Sequence, residues 1–204
     1  MHVNVYFTGN YEFSFFFGVL TVLFWALTYL FIIFSAFKSR NQKRIAMPYV
    51  AGALNFSWEF CALLLWKYPG VWAYIIWFVI DLFIVYFSLS FLPTARKRLF
   101  YLSGILISGI VFFLVFQIDK GFIYSVYTID LIMEFWYLLD RKKLSVSLKC
   151  PIAVTNLLGD LFAGFVFYYD YPFVVVTSTL VLICNSIYLY RCIKERKERV
   201  LSVV

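Results

Sequence analysis

Apolar runs of about twenty residues, broken by short polar or basic links, organise the whole chain. Seven windows have the length to cross a bilayer, approximately 14–37, 46–66, 72–92, 99–118, 121–139, 151–169 and 172–193. A helix rising 1.5 Å per residue needs about 20 apolar residues to cross the ~30 Å hydrocarbon core. The predicted fold class is therefore an all-α membrane protein with seven transmembrane helices, a single domain over 1–204. The links leave no room for a soluble domain. Nothing reads as a cleaved signal peptide, because the stretch from Tyr6 to Glu12 is polar-aromatic and lacks a basic start.

Polar punctuation inside the windows repeats. In spans two and three, Pro48 is followed by Asn55 and Glu59, a Tyr68-Pro69 turn, Asp81 and Tyr86. In spans six and seven, Pro151 is followed by Asn156 and Asp160, a Tyr171-Pro172 turn, Asn185 and Tyr190. Both copies keep four residues from Asn to acid and five from the third-span polar residue to Tyr. Three spans plus a linker separate the copies, so they run parallel. This predicts a 3+1+3 pseudo-repeat, with halves at about 13–92 and 121–193 and a linker helix at about 99–118.

Composition agrees with the pattern: of 204 residues, 64% are hydrophobic and only 14% charged. Basic residues set the orientation. Lys38, Arg40, Lys43 and Arg44 follow span one; Arg96, Lys97 and Arg98 follow span three. Arg141, Lys142, Lys143 and Lys149 follow span five, and Arg191, Lys194, Arg196, Lys197 and Arg199 form the tail. Only Lys67 and Lys120 lie opposite. The predicted topology has the N-terminus outside and the C-terminus in the cytoplasm. The formal charge of +7 is thereby explained by orientation and anionic lipid, and no nucleic-acid partner is expected. The chain should be integral to a bilayer, either a bacterial plasma membrane or the endoplasmic reticulum. Cys61, Cys150, Cys184 and Cys192 form no CxxC pair, and the one histidine is His2, so a Cys/His metal site is not expected. DDxxD-type clusters that hold diphosphates through Mg²⁺ are also absent. No cofactor is expected.

The chemistry lies in five acids inside the spans: Glu59, Asp81, Asp130, Glu134 and Asp160. An ionisable group at bilayer depth costs roughly 2.5 to 3.5 kcal/mol on the most lenient scale, and such groups usually serve function. Helical spacing puts Asn55 beside Glu59, Asn156 beside Asp160, and Trp77 beside Asp81. Span five presents one stripe: Tyr127, Asp130, Glu134, Tyr137 and, at its boundary, Arg141. The stripes are expected to face the bundle interior. No interior Lys or Arg is present to pair these acids, so some are expected to be neutral and able to donate a proton. Packing by interhelical hydrogen bonds is the bland alternative, and it suits the asparagines better than the acids.

Aromatic residues make up 23% of the chain. Tyr68, Trp72, Tyr168, Tyr169 and Tyr171 read as interfacial belt. Trp58, Trp77, Tyr127, Trp136 and Tyr188 lie deeper and are candidates to line a cavity, where each ring face stabilises a desolvated cation by roughly 0.5 to 2 kcal/mol. Acid donors among ring faces suit carbocation chemistry.

The elements Asn55-Phe56-Ser57-Trp58-Glu59-Phe60 and Trp77-Phe78-Val79-Ile80-Asp81-Leu82 resemble the small seven-span terpene cyclases of pyripyropene-type meroterpenoid and paxilline-type indole-diterpene biosynthesis, which have bacterial relatives. Span count, length and loop pattern extend the resemblance over nearly the whole chain; the N-x-x-W-E element and the span-three Asp are its specific part. It implies proton-initiated cyclisation of a prenyl chain, or of its terminal epoxide, without metal or diphosphate ionisation. Glu59 then matches the family's essential acid. A second family acid is expected in the last span, where this sequence has Cys184-Asn185-Ser186-Ile187-Tyr188. The second role then passes to Asp160 or Asp81, or the starting group differs.

The candidate catalytic acids are thus Glu59, Asp81, Asp160 and Asp130. Candidate substrate-binding residues are Asn55, Trp58, Trp77, Tyr127, Glu134, Asn156, Asn185 and Tyr188. The expected partners are the bilayer and a lipophilic prenylated small molecule. A proton-coupled small-solute carrier of the SWEET type is the alternative, since parallel 3+1+3 repeats also build those; against it, no Pro-Gln pair is present and the prolines lie at span entrances. A retinal receptor would need a lysine in the last span, and span seven has none before its cytoplasmic boundary.

Overall fold

A computed structural model describes residues 11–65, 71–118, 120–139, 146–167 and 172–201. These form seven α-helices: α1 Tyr11–Lys38, α2 Tyr49–Leu65, α3 Val71–Phe91, α4 Ala95–Val115, α5 Gly121–Leu139, α6 Val146–Phe167 and α7 Pro172–Leu201. A 3-10 turn at Arg40–Gln42 follows α1, and the described residues include no strand. His2, Lys67, Arg141 to Lys143, Tyr168, Tyr169 and both Tyr-Pro turns (through Tyr68-Pro69 and Tyr171) lie outside the described residues, as does the side chain of Trp72.

Five helices, α1, α3, α4, α5 and α7, are long and apolar enough to cross a membrane; α2 is apolar but has 17 residues. Their outward faces carry large apolar side chains, such as Phe34, Leu64, Phe83, Phe100, Leu106 and Phe135. Water would penalise so much exposed hydrocarbon, and lipid does not. The protein is an integral, multi-pass membrane protein.

Several boundaries differ from the hydrophobic windows. The basic cluster at Arg96 to Arg98 is expected in a link, yet it forms the first turn of α4. Thr94 caps that helix, its Oγ1 accepting the Lys97 N–H at 3.3 Å. Arg98 Nε also donates to the Leu92 carbonyl at 3.0 Å, satisfying an oxygen just past the end of α3. Helix α6 begins at Val146, so Pro151 sits inside the helix rather than at its entrance. Helix α7 runs past the apolar window to Leu201, where Lys194 and Glu198 sit one turn apart at 4.0 Å and Lys149 of α6 meets Glu195 at 3.1 Å. Hydropathy marks where apolar residues stop, whereas these helices continue because their backbone bonds do not depend on lipid.

The packing order positions the site. Helix α1 packs on α6 and α3, α3 on α2, α2 on α5, α5 on α7, and α7 on α6, closing a ring of six helices. Helix α4 lies outside this ring against α2 and α5, and only Tyr101, Ser108 and Phe112 of it are buried. Ser108 donates to Ser57 at 2.7 Å, and Ser57 donates to the Ile105 carbonyl at 2.9 Å, which fastens α4 to α2. The link from α4 to α5 is tight: a Cβ on Gly121 would lie 1.9 Å from the Val115 carbonyl oxygen, so only glycine fits.

Candidate active site

All five candidate acids are buried within the helical bundle. Exposure is 2% for Glu59 and Glu134, zero for Asp81, 7% for Asp160 and 8% for Asp130. They form two clusters, each assembled by an asparagine that joins three helices.

In the first cluster Asn55 of α2 is the hub. Its Nδ2 shares two N–H hydrogens among three acceptors: the Tyr29 hydroxyl of α1 at 2.8 Å, Asp81 Oδ2 of α3 at 2.8 Å and Glu59 Oε1, one turn along its own helix, at 3.1 Å. Glu59 Oε2 and Asp81 Oδ1 are buried without a hydrogen-bond partner. In the second cluster Asn156 of α6 donates to Glu134 Oε1 of α5 and, at 3.1 Å, to Asn185 Oδ1 of α7. Asn185, fully buried, donates in turn to Asp160 Oδ2 at 2.5 Å. The indole of Trp25, on α1, donates to Asp160 Oδ1 at 2.8 Å. Glu134 Oε2 is buried and unpartnered. Among the described residues, the partners of these carboxyls are thus amide and indole N–H groups rather than cations.

Asp130 sits one turn before Glu134 on α5. It is within electrostatic range of Asp160, and the Tyr29 and Tyr74 hydroxyls are within range of both Asp130 and Glu59. The α5 stripe is buried at each described position, Tyr127, Asp130, Glu134 and Tyr137. Tyr127 donates to the Ala163 carbonyl of α6 at 3.1 Å and is within range of Asp130 and Asp160.

Aromatic rings flank the acids. Trp77 packs at a tilt against Trp25 and edge-on against Tyr74, both at 5.4 Å between centroids, and its N–H is buried without a partner. Trp58 is buried, donates to Ser125 at 2.8 Å and packs against Phe122 at 5.0 Å. Two rings sit elsewhere: Tyr188 packs on Tyr137 at 5.7 Å, and Trp136 is 39% exposed on the outside of α5. Trp136 lines an outer groove of about 560 Å³ between α5 and α7 with Leu131, Ile132, Phe135, Leu139, Leu180 and Cys184. Cys184, in its wall, is within electrostatic range of Glu134, which places the groove just outside the second cluster.

Trp25 and Tyr29 are absent from the residues singled out by sequence reasoning. The apolar window of α1 carries no acid, Glu12 preceding it, so nothing drew attention to it. The available signal is a helical stripe, Thr21, Trp25, Thr28, Tyr29 and Ser35, of which Thr21, Thr28, Tyr29 and Ser35 are buried. Thr28 Oγ1 bonds Thr155 Oγ1 of α6 at 2.7 Å, beside the Trp25 contact.

Comparison with known proteins adds the family. The sequence profile of the Pyr4-like transmembrane terpene cyclases matches residues 10–121, more than half of the chain. The chain belongs to this family. The matched segment runs from α1 through α4 and holds the whole Tyr29, Asn55, Glu59 and Asp81 cluster; the second cluster, apart from Trp25, lies beyond it. No curated protein and no solved structure matches the chain. Membership makes this protein a candidate enzyme that acts on a lipophilic substrate in the membrane.

Proposed function

We propose that this cyclase closes rings on a prenylated terpenoid or meroterpenoid by proton transfer from Glu59, without a metal, to a terminal alkene or epoxide. The observation that carries the reading is the Glu59 carboxyl itself: buried, fixed by Asn55 through one oxygen, with the other oxygen unpartnered. Such an oxygen suits a carboxylic acid O–H, which a substrate carbon or epoxide oxygen can receive. Asp81, tied to the same amide, orients the donor and tunes it. Once the cation forms, Trp25, Tyr74 and Trp77 offer ring faces, each contributing roughly 0.5 to 2 kcal/mol in a site with little water. One of the remaining acids takes up the proton released when the last cation becomes an alkene. The balance is an isomerisation, and no metal is invoked.

The full architecture belongs to the same reading: seven spans in a 3+1+3 parallel repeat, the N-terminus outside and the C-terminus cytoplasmic. The ring order supports it, since α3 lies between α1 and α2 as α7 lies between α5 and α6, with α4 peripheral. Asn55 and Asn156 support it as well, each bridging the three helices of its half.

The test is turnover by the full chain, in lipid nanodiscs, of a farnesylated hydroquinone and its terminal epoxide. Wild type should convert at least one to a cyclic isomer. Glu59→Gln should lose about 10²- to 10⁴-fold in rate, the usual worth of a positioned general acid. Cyclisation by Glu59→Gln at the wild-type rate removes Glu59 from this role. Uptake of a solute by proteoliposomes with no chemical change would instead support the carrier alternative.

A further inference from the structure

The clusters differ in how their carboxyl groups are bonded. At Glu59, Asp81 and Glu134 one oxygen accepts an amide N–H while the other is buried and unpartnered. At Asp160 both oxygens accept, Oδ1 from the Trp25 indole at 2.8 Å and Oδ2 from the Asn185 amide at 2.5 Å. Neither N–H can receive a hydrogen, so each requires an acceptor oxygen opposite it. N–H donors on both oxygens suit a carboxylate and offset part of the cost of burying its charge.

The arrangement is built into the helices. A Cβ on Gly159 would lie 2.3 Å from Trp25 Cδ1 and 2.6 Å from its Nε1. Only glycine at that position lets the α1 indole lie across α6 and reach the next residue, Asp160. On the other side, Asn185 is oriented by Asn156. At the corresponding place in the first half of the chain, Trp58 precedes Glu59 and no such slot exists.

We propose that Asp160 is the anionic member of the acid set and receives the closing proton, with Trp25, seated on Gly159, as its positioning residue. This rests on the proton-initiated reading given above. A C–H bond beside the final carbocation breaks, its electron pair becomes the new C=C bond, and the proton goes to a remaining lone pair of Asp160. Until that step the carboxylate charge stabilises the cation. Asp130 is within electrostatic range of Asp160 and, like Glu59, of Tyr29 and Tyr74. No oxidant, reductant or other reactant is needed.

The experiment compares wild type, Asp160→Asn, Trp25→Phe and Glu59→Gln with the two farnesyl probes, and records infrared difference spectra of each variant against wild type. Glu59→Gln should consume the probes about 10²- to 10⁴-fold more slowly than wild type. Asp160→Asn should still consume substrate, but the wild-type alkene should fall by about 10²-fold relative to cyclic alcohols and displaced alkenes, as expected for loss of a general base. Trp25→Phe should shift the same ratio by about tenfold, the effect of one hydrogen bond to a charged group. The Asp160→Asn difference spectrum should lose an ionised-carboxylate band; loss of a protonated C=O band instead overturns the proposal. An unchanged product ratio in Asp160→Asn also overturns it. If Asp160→Asn does not fold, Trp25→Phe carries both readouts, and an unmoved carboxylate band with an unchanged ratio is fatal. Should wild type consume neither probe, the cyclase reading fails, while the infrared bands still decide the state of Asp160.

Discussion

Replacing Gly159 by alanine tests the slot that seats Trp25. The new Cβ would start 2.3 Å from the indole Cδ1, and ordinary contact begins near 3.4 Å, so the ring must retreat by about 1 Å. That displacement stretches the 2.8 Å bond to Asp160 out of hydrogen-bond range. Overpacking in a tight interior costs about 1 to 3 kcal/mol. The lost bond adds about 0.6 to 1.7 kcal/mol on the scale measured in membrane bundles. Alanine's better helix propensity returns up to about 1 kcal/mol. The net loss should be about 1 to 4 kcal/mol. Gly164, on the same helix, supplies the control, because a Cβ there meets nothing within 4 Å. Gly164→Ala should be neutral or stabilised by up to about 1 kcal/mol. Reversible unfolding in mixed micelles, with SDS as the denaturant, measures both. Equal stability of the two variants would refute the reasoning, since only the contact with Trp25 separates them.

Asn55→Leu keeps the side-chain size but removes the amide that joins α1, α2 and α3, and should cost about 1 to 3 kcal/mol in the same unfolding assay. Asn156→Leu should lose a similar amount, since it unlinks α5, α6 and α7. Glu195→Gln, which breaks the half-exposed pair with Lys149, should change stability by less than about 1 kcal/mol in either direction. Because amide and indole N–H groups already face the carboxyls, chelators should leave turnover of the farnesyl probes unchanged; a rate restored only by added Mg²⁺ would count against proton initiation.

Much of the fold was legible because lipid imposes a simple rule. Backbone groups in hydrocarbon must bond within their own segment, so long apolar runs are helices, and acids within them turn inward. That rule located the body of each of α1 to α7 and forecast the burial of Glu59, Asp81, Asp130, Glu134 and Asp160. It did not locate helix ends, because Thr94 capping and the charged end of α7 extend helices beyond the apolar windows. The Asn-x-x-x-Glu and Asn-x-x-x-Asp spacings identified both hubs. They did not reveal that Asn156 would serve Glu134 and Asn185 while its neighbour Asp160 bonded to α1.

Periodicity, charge bias and intramembrane acids, all local properties of the chain, are enough to specify a helical membrane protein and its polar interior. Which donor meets which carboxyl oxygen depends on residues brought together from α1, α6 and α7, and no spacing along one strand of sequence encodes that. The tertiary structure therefore decided that Trp25, a residue with no acid near it in sequence, bonds Asp160 and that Gly159 makes room for it. The reason is steric: helices approach most closely where a side chain is missing, and the partner that fills the gap comes from elsewhere in the chain.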